Sequence, residues 1–156
     1  MSLHYHETLE GESHLRIAPG ARHELICSRL HQLVKTTVTQ TKVTHLLSPR
    51  TSIKLAKSPV VCPDLALITA ATGKLWLAAE VISSEDHRAD TFVKKQIYDE
   101  IRLPRLWMID PRYDNVEVYH SGAYGLALVG ILAGSEILTD KLLPEFQVTM
   151  KDLFAP

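Results

Sequence analysis

Apolar and polar positions follow two rhythms along this chain. After the Pro19-Gly20 break, Ile26, Leu30, Leu33 and Val34 recur at helical spacing and predict a helix over residues 21 to about 37. A second stripe, Val93, Ile97 and Ile101, predicts a helix over residues 88 to about 102, ended ahead of Pro104. Short apolar runs bounded by turn formers predict strands at residues 51–55, 60–68, 76–82, 106–109 and 116–119. Residues 127–132 and 136–139 read as a terminal hairpin joined through Ala133-Gly134-Ser135. The opening "MSLHYHETLEGESH" is polar and reads as a frayed, solvated terminus. Helix, strands, helix, strands is the order of a mixed α/β domain: a mixed central β-sheet flanked by helices, with residues 1–156 as one domain.

Two of the buried-looking strands each carry one acid. "VVCPDLALI" holds Asp64 and "LAAEVISS" holds Glu80. An unpaired ionised carboxylate in an apolar core costs several kcal/mol, roughly, or turns neutral. Each acid therefore ends its strand in water or meets a cation. Pro63 cannot donate to a ladder and marks an edge or an irregular point. If the strands are neighbours and both acids point to one end, the pair suits a hard divalent cation. Mg²⁺ takes few carboxylates and keeps waters, one of which can serve as a nucleophile.

The second helix bears on that choice. In "HRADTFVKKQIYDEIR", Asp90, Lys94 and Tyr98 form their own i, i+4, i+8 row. Lys94 lies on the flank of the buried stripe and Lys95 on the solvated side. An exposed i,i+4 salt bridge would contribute only about 0.3–0.5 kcal/mol. An inward lysine beside two carboxylates can instead orient water or stabilise charge developing on a phosphate.

Composition sets the outer bounds. With 46 % hydrophobic and 22 % charged residues the chain can fill a core. A net charge of -1 gives no electrostatic footprint for nucleic acid. Cys27 and Cys62 offer neither a disulfide framework nor a zinc-ribbon spacing. His23, Cys27 and His31 are spaced as a zinc-holding row, but Cys27 shares a stripe with Leu30 and Val34 and reads as core. Trp76 and Trp107 also read as core, and Ser83 and Ser84 as helix caps. No apolar run reaches membrane length and no signal-peptide pattern opens the chain, so a cytoplasmic protein with no membrane partner is expected.

Taken together, "PGARHELICSRLHQLV", "CPDLALI", "AAEVISS", "RADTFVKKQIYDEIRLPRLWMIDPRYDNVEVYH" and "LLPEF" resemble the Uma family within the PD-(D/E)XK nuclease superfamily. The resemblance covers nearly the whole chain. It implies the restriction-endonuclease-like fold and a metal-dependent endonuclease that hydrolyses DNA with Mg²⁺, or Mn²⁺ in its place. It also implies that Asp64 and Glu80 hold the metal and that the Val81 carbonyl adds a ligand. Glu24 matches the extra acid of the early helix, and His23 beside it fits the family pattern. The superfamily's usual lysine position, two residues after the acid, is Ile82 here; Lys94 matches the relocated lysine of the Uma family. Asp90 and Tyr98 would then support Lys94. The apolar closing strands invite pairing with a second copy, so a homodimer is expected. A nuclease-fold protein without catalysis, acting as a dimeric interaction or nucleic-acid-binding module, stays open as the alternative.

Overall fold

The structure is a computed structural model and describes residues 4–17, 20–56, 58–82 and 89–156. Its centre is a six-stranded sheet in the order β10-β9-β8-β7-β6-β3. The strands are β3 (Thr44–Leu46), β6 (Leu65–Thr69), β7 (Leu75–Val81), β8 (Arg105–Asp110), β9 (Asn115–Gly122) and β10 (Gly125–Ala133). Only β7 and β8 pair in parallel, with Glu80 opposite Met108; the other neighbours are antiparallel. A parallel pair needs a crossover. The second helical segment supplies it, as a π-helical turn, Ala89–Val93, running into α2, Lys94–Glu100.

Helices cover both faces of the sheet. On one face α1 (Ala21–Val38) sets Ile26, Leu30 and Val34 against Leu65, Leu77, Ala79, Val81 and Trp107. On the other face, Val93, Ile97 and Tyr98 meet Ala66, Ala78, Leu106 and Met108. Alternate residues of β7 thus enter two different cores, which is why the strand reads as one apolar run. Leu33, expected on the buried stripe of α1, is instead exposed at its rim. Trp107 is fully buried and stacks on Phe146 with ring centroids 5.4 Å apart. Trp76 is only partly buried and donates to the Thr44 hydroxyl.

Three expectations about the elements fail. The opening stretch is not frayed. It forms a hairpin, β1 (His4–Leu9) and β2 (Glu12–Ile17), turned through Glu10 and Gly11, both at positive φ. This hairpin joins β5 (Val60–Val61) and β4 (Ile53–Lys54) in a second, four-stranded sheet. Residues 60–68 are not one strand: the chain breaks at Cys62-Pro63-Asp64 and changes sheet. The closing apolar strands do not pair with each other either. β10 pairs with β9, while β11 (Ile137–Asp140) pairs with β12 (Leu143–Thr149), which leads into the short α3 (Met150–Leu153). Ser83, Ser84 and the expected helix start at Arg88 lie outside the described residues. Among the described residues, no helix is long and apolar enough to cross a membrane.

Candidate active site

Glu80 sits near the end of β7 on the face that α2 covers. The Lys94 ammonium lies 2.6 Å from Glu80 Oε1 and 2.5 Å from Oε2, and the Tyr98 hydroxyl donates to Oε2 at 2.9 Å. Lys94 opens α2 and Tyr98 follows one turn later, so both fall on the same face. Burial, then the charge of Glu80, pushes the Tyr98 phenol well above its ordinary pKa and keeps it a hydrogen-bond donor. Lys95, expected in solvent, is half-buried with its ammonium 4.5 Å above the Tyr119 ring.

Lys94 has a second anionic partner that sequence reasoning missed. Glu7 of β1 is fully buried, and its Oε2 lies 2.6 Å from Lys94 Nζ. The same oxygen accepts from the Cys62 amide at 2.7 Å, while Oε1 accepts from Arg16 Nη1 at 2.6 Å. Glu7, Glu80, Lys94 and Arg16 thus place two anions and two cations in one dry cluster. The signal was present in "HYHETL", where Tyr5, Glu7 and Leu9 alternate inward. An acid at an inward position disguised the strand.

Asp64 occupies the break between β5 and β6, and a different set of side chains holds it. Its Oδ2 accepts from the Val81 amide at 2.8 Å, and its Oδ1 accepts from Arg50 Nε at 3.2 Å. The His23 ring, from the first turn of α1, donates through Nε2 to the Val81 carbonyl at 3.0 Å, and the same nitrogen lies 3.6 Å from Asp64 Oδ2. His31 donates through Nε2 to the Asp64 carbonyl at 2.7 Å. Glu24 is half exposed and bound by the Arg50 guanidinium. Arg50 was also missed. It sits at φ 58°, uncommon for a side-chain-bearing residue, in the turn of "SPRT".

Tyr5 stands between the two groups. The guanidinium carbons of Arg16 and Arg50 each lie 5.8 Å from its ring centre. Burial raises its phenol pKa, the charges of Asp64 and Glu80 raise it further, and Arg16 and Lys94 oppose the rise. One hydroxyl therefore feels both acids. The donors are of the kind that a hard cation takes: the Asp64 carboxylate at the break before β6, the Glu80 carboxylate of β7 and the Val81 carbonyl. Neither acid waits alone, however. Lys94 already meets Glu80, and Arg50 already meets Asp64.

The Uma2 family, described as "Putative restriction endonuclease", matches residues 3–151. The chain belongs to the Uma2 family. Membership supports nuclease function in general terms, with nucleic acid as substrate and divalent metal use. A solved structure agrees with this Uma2 chain in fold: that of "a putative nuclease belonging to DUF820" from Anabaena variabilis, at a TM-score of 0.80 and 15% identity. The alignment covers 96% of this chain and 89% of that one. No curated protein matches the chain. Within the Uma2 fold, Glu80, Lys94 and Tyr98 meet in one place, and Asp64, His23, Glu24 and the Val81 backbone in the adjoining one. Asp90 lies in the π-helical turn, and its side chain is outside the described residues.

Proposed function

We propose that this Uma2 protein is a PD-(D/E)XK endonuclease that hydrolyses DNA phosphodiester bonds with Mg²⁺, or with Mn²⁺ in its place. One observation carries the reading: Lys94, only 1% exposed, drives its ammonium onto Glu80, next to the strand that presents Asp64. A lysine is buried at that depth only when anions receive it, and Glu80 and Glu7 receive it here. Asp64, Glu80 and the Val81 carbonyl would hold the cation, which supplies Lewis acidity at the phosphate and an activated water when bound. The chain's own groups do the rest. Lys94 offsets charge developing on the phosphate oxygens. Glu7 holds the lysine head, Tyr98 holds the Glu80 carboxylate that the lysine meets, and Asp90 belongs to the same supporting row. His23 orients the Val81 carbonyl through its ring N–H. Glu24 is a further acid at the mouth of the site.

The test is nicking of supercoiled plasmid by purified protein with Mg²⁺ or Mn²⁺. Wild type should nick, whereas Asp64→Asn and Glu80→Gln should both be inactive while remaining folded by circular dichroism. Nicking that survives both substitutions would sink the assignment.

A second reading is favoured by a specific feature. Both acids already face cations of the chain, as they would in a nuclease fold retained for binding alone. Absence of cleavage on every DNA offered, with a retained dimer, would favour that reading. The dimer surface we propose in either case is the edge strand β10, where Leu128, Val129 and Ile131 are exposed. The setting we propose is the cytoplasm, with residues 1–156 as one domain.

A further inference from the structure

The Asp64 group contains donors that a hard-cation site does not use. His23, Cys27 and Asp64 are all buried, and each presents a ligand atom within 4.8 Å of the other two. Cys27 lies one helical turn after His23 on α1, with its Sγ 3.7 Å from His23 Nδ1. Neighbouring ligands of a tetrahedral zinc, with Zn–S about 2.3 Å and Zn–N about 2.0 Å, stand about 3.5 Å apart. The tautomer also fits. His23 gives its Nε2 proton to the Val81 carbonyl, which leaves Nδ1 with a lone pair facing the sulfur. A second hydrogen bond of that kind accompanies most metal-binding histidines.

A cation of the chain is drawn to this place. The Arg50 guanidinium lies 3.4 Å from His23 Nδ1, donates to Asp64 Oδ1 and binds Glu24. Those three groups would surround a metal here, and Glu24 Oε1 is itself 3.4 Å from His23 Nδ1. Arg50 is partly exposed and can swing outward, unlike Lys94. A cleft of about 700 Å³ along α1, lined by Glu24, Cys27, His31 and His45 among others, reaches the Cys27 and Glu24 side of the group from solvent.

We propose that a thiophilic divalent cation of the Zn²⁺ class binds His23 Nδ1, Cys27 Sγ and an Asp64 carboxylate oxygen, and that Arg50 holds the place until it arrives. The released Glu24 becomes available as a fourth ligand. Thiolate and imidazole select zinc over Mg²⁺, so this site differs in chemistry from the one proposed above, on which it rests in part: the two share the Asp64 carboxylate and, at their border, His23 and Glu24. Binding replaces the Cys27 S–H bond with a sulfur–metal bond, and the proton leaves to buffer. Burial, helped by the Asp64 carboxylate, keeps the free thiol protonated; a bound cation reverses that preference.

The whole chain is titrated with Co²⁺ as the spectroscopic probe and then with Zn²⁺ in competition. Wild type should show a sulfur-to-cobalt charge-transfer band and tetrahedral visible absorption, both abolished by equimolar Zn²⁺. Cys27→Ser, which is close in size, should lose the charge-transfer band, and Cys62→Ser should keep it. Arg50→Leu should bind Zn²⁺ about tenfold tighter or more, because a competing charge is gone. Arg50→Gln serves the same purpose if the leucine variant does not fold. A band that survives Cys27→Ser, or that is absent from folded wild type at micromolar protein, overturns the site. So does an unchanged Zn²⁺ affinity in both Arg50 variants. The Mg²⁺-induced rise in melting temperature, read in Cys27→Ser, separates the two metals. It should persist, and its loss would show one shared site in place of two.

Discussion

The two halves of the site hold similar charges in different surroundings. Around Lys94 everything is dry: the lysine, Glu7 and Glu80 side chains are 1%, 0% and 2% exposed. Around Asp64 the cation is Arg50 at 16%, and its outer partner Glu24 is 49% exposed. Removing one member of a buried ion pair leaves an uncompensated charge and costs about 3–5 kcal/mol. Separating a solvent-facing pair costs about 0–1 kcal/mol. The Lys94 half is therefore fixed, and the Asp64 half can exchange partners. Such a division suits a site where one region must be rigid and the other must admit a ligand.

The largest effect should come from the dry half. Lys94→Met removes the ammonium that Glu7 and Glu80 share and leaves Glu7 with Arg16 alone as its cation among the described residues. Urea denaturation should show a loss of about 3–5 kcal/mol, far above the packing cost of a length-conserving change. Combining it with Glu7→Gln should restore part of that loss, since the two substitutions act on one network. Strict additivity would dissolve the claim of a coupled cluster. Next in size is the response to metal. Mg²⁺ should raise the melting temperature of wild type by mass action, and Asp64→Asn should be unresponsive. An identical rise in that variant would remove Asp64 from the cation site. A smaller change is expected at the wet edge: Glu24→Gln should alter stability by less than about 1 kcal/mol. A loss as large as that of Lys94→Met would erase the contrast.

A separate effect concerns alkaline pH. The folded state raises the Cys27 thiol above its ordinary value of 9.0, chiefly through burial. Its contribution to stability is complete below that ordinary value and is lost as pH rises toward the folded pKa, because only the unfolded chain releases the proton. Wild type should lose stability between about pH 8 and pH 10 more steeply than Cys27→Ala does. Parallel pH curves would mean that the thiol is not buried as described.

Much of this arrangement was legible in the sequence. Apolar spacing located α1, and the single acids in apolar runs located Asp64 and Glu80. Helical geometry turned Lys94 inward before any contact was known. What stayed hidden was non-local. Glu7 pairs with residues far along the chain, and no short-range pattern announces that an acid in a polar opening segment is buried. Arg50 sits in a turn whose role depends on where Asp64 lands. The closing strands were read as partners because they are adjacent in sequence, whereas β9 and β12 compete for them with longer, better matched ladders.

The N-terminal hairpin has a consequence for the order of assembly. Glu7 cannot reach its ammonium partner until α2, far along the chain, has formed. The hairpin joins β5 through the short Thr8-to-Val60 register and through bonds of Cys62 to Glu7 and to the His6 carbonyl. Its docking is therefore a long-range closure of high contact order, and such closures are slow. The first two strands act as a latch whose catch lies nearly ninety residues further along the chain.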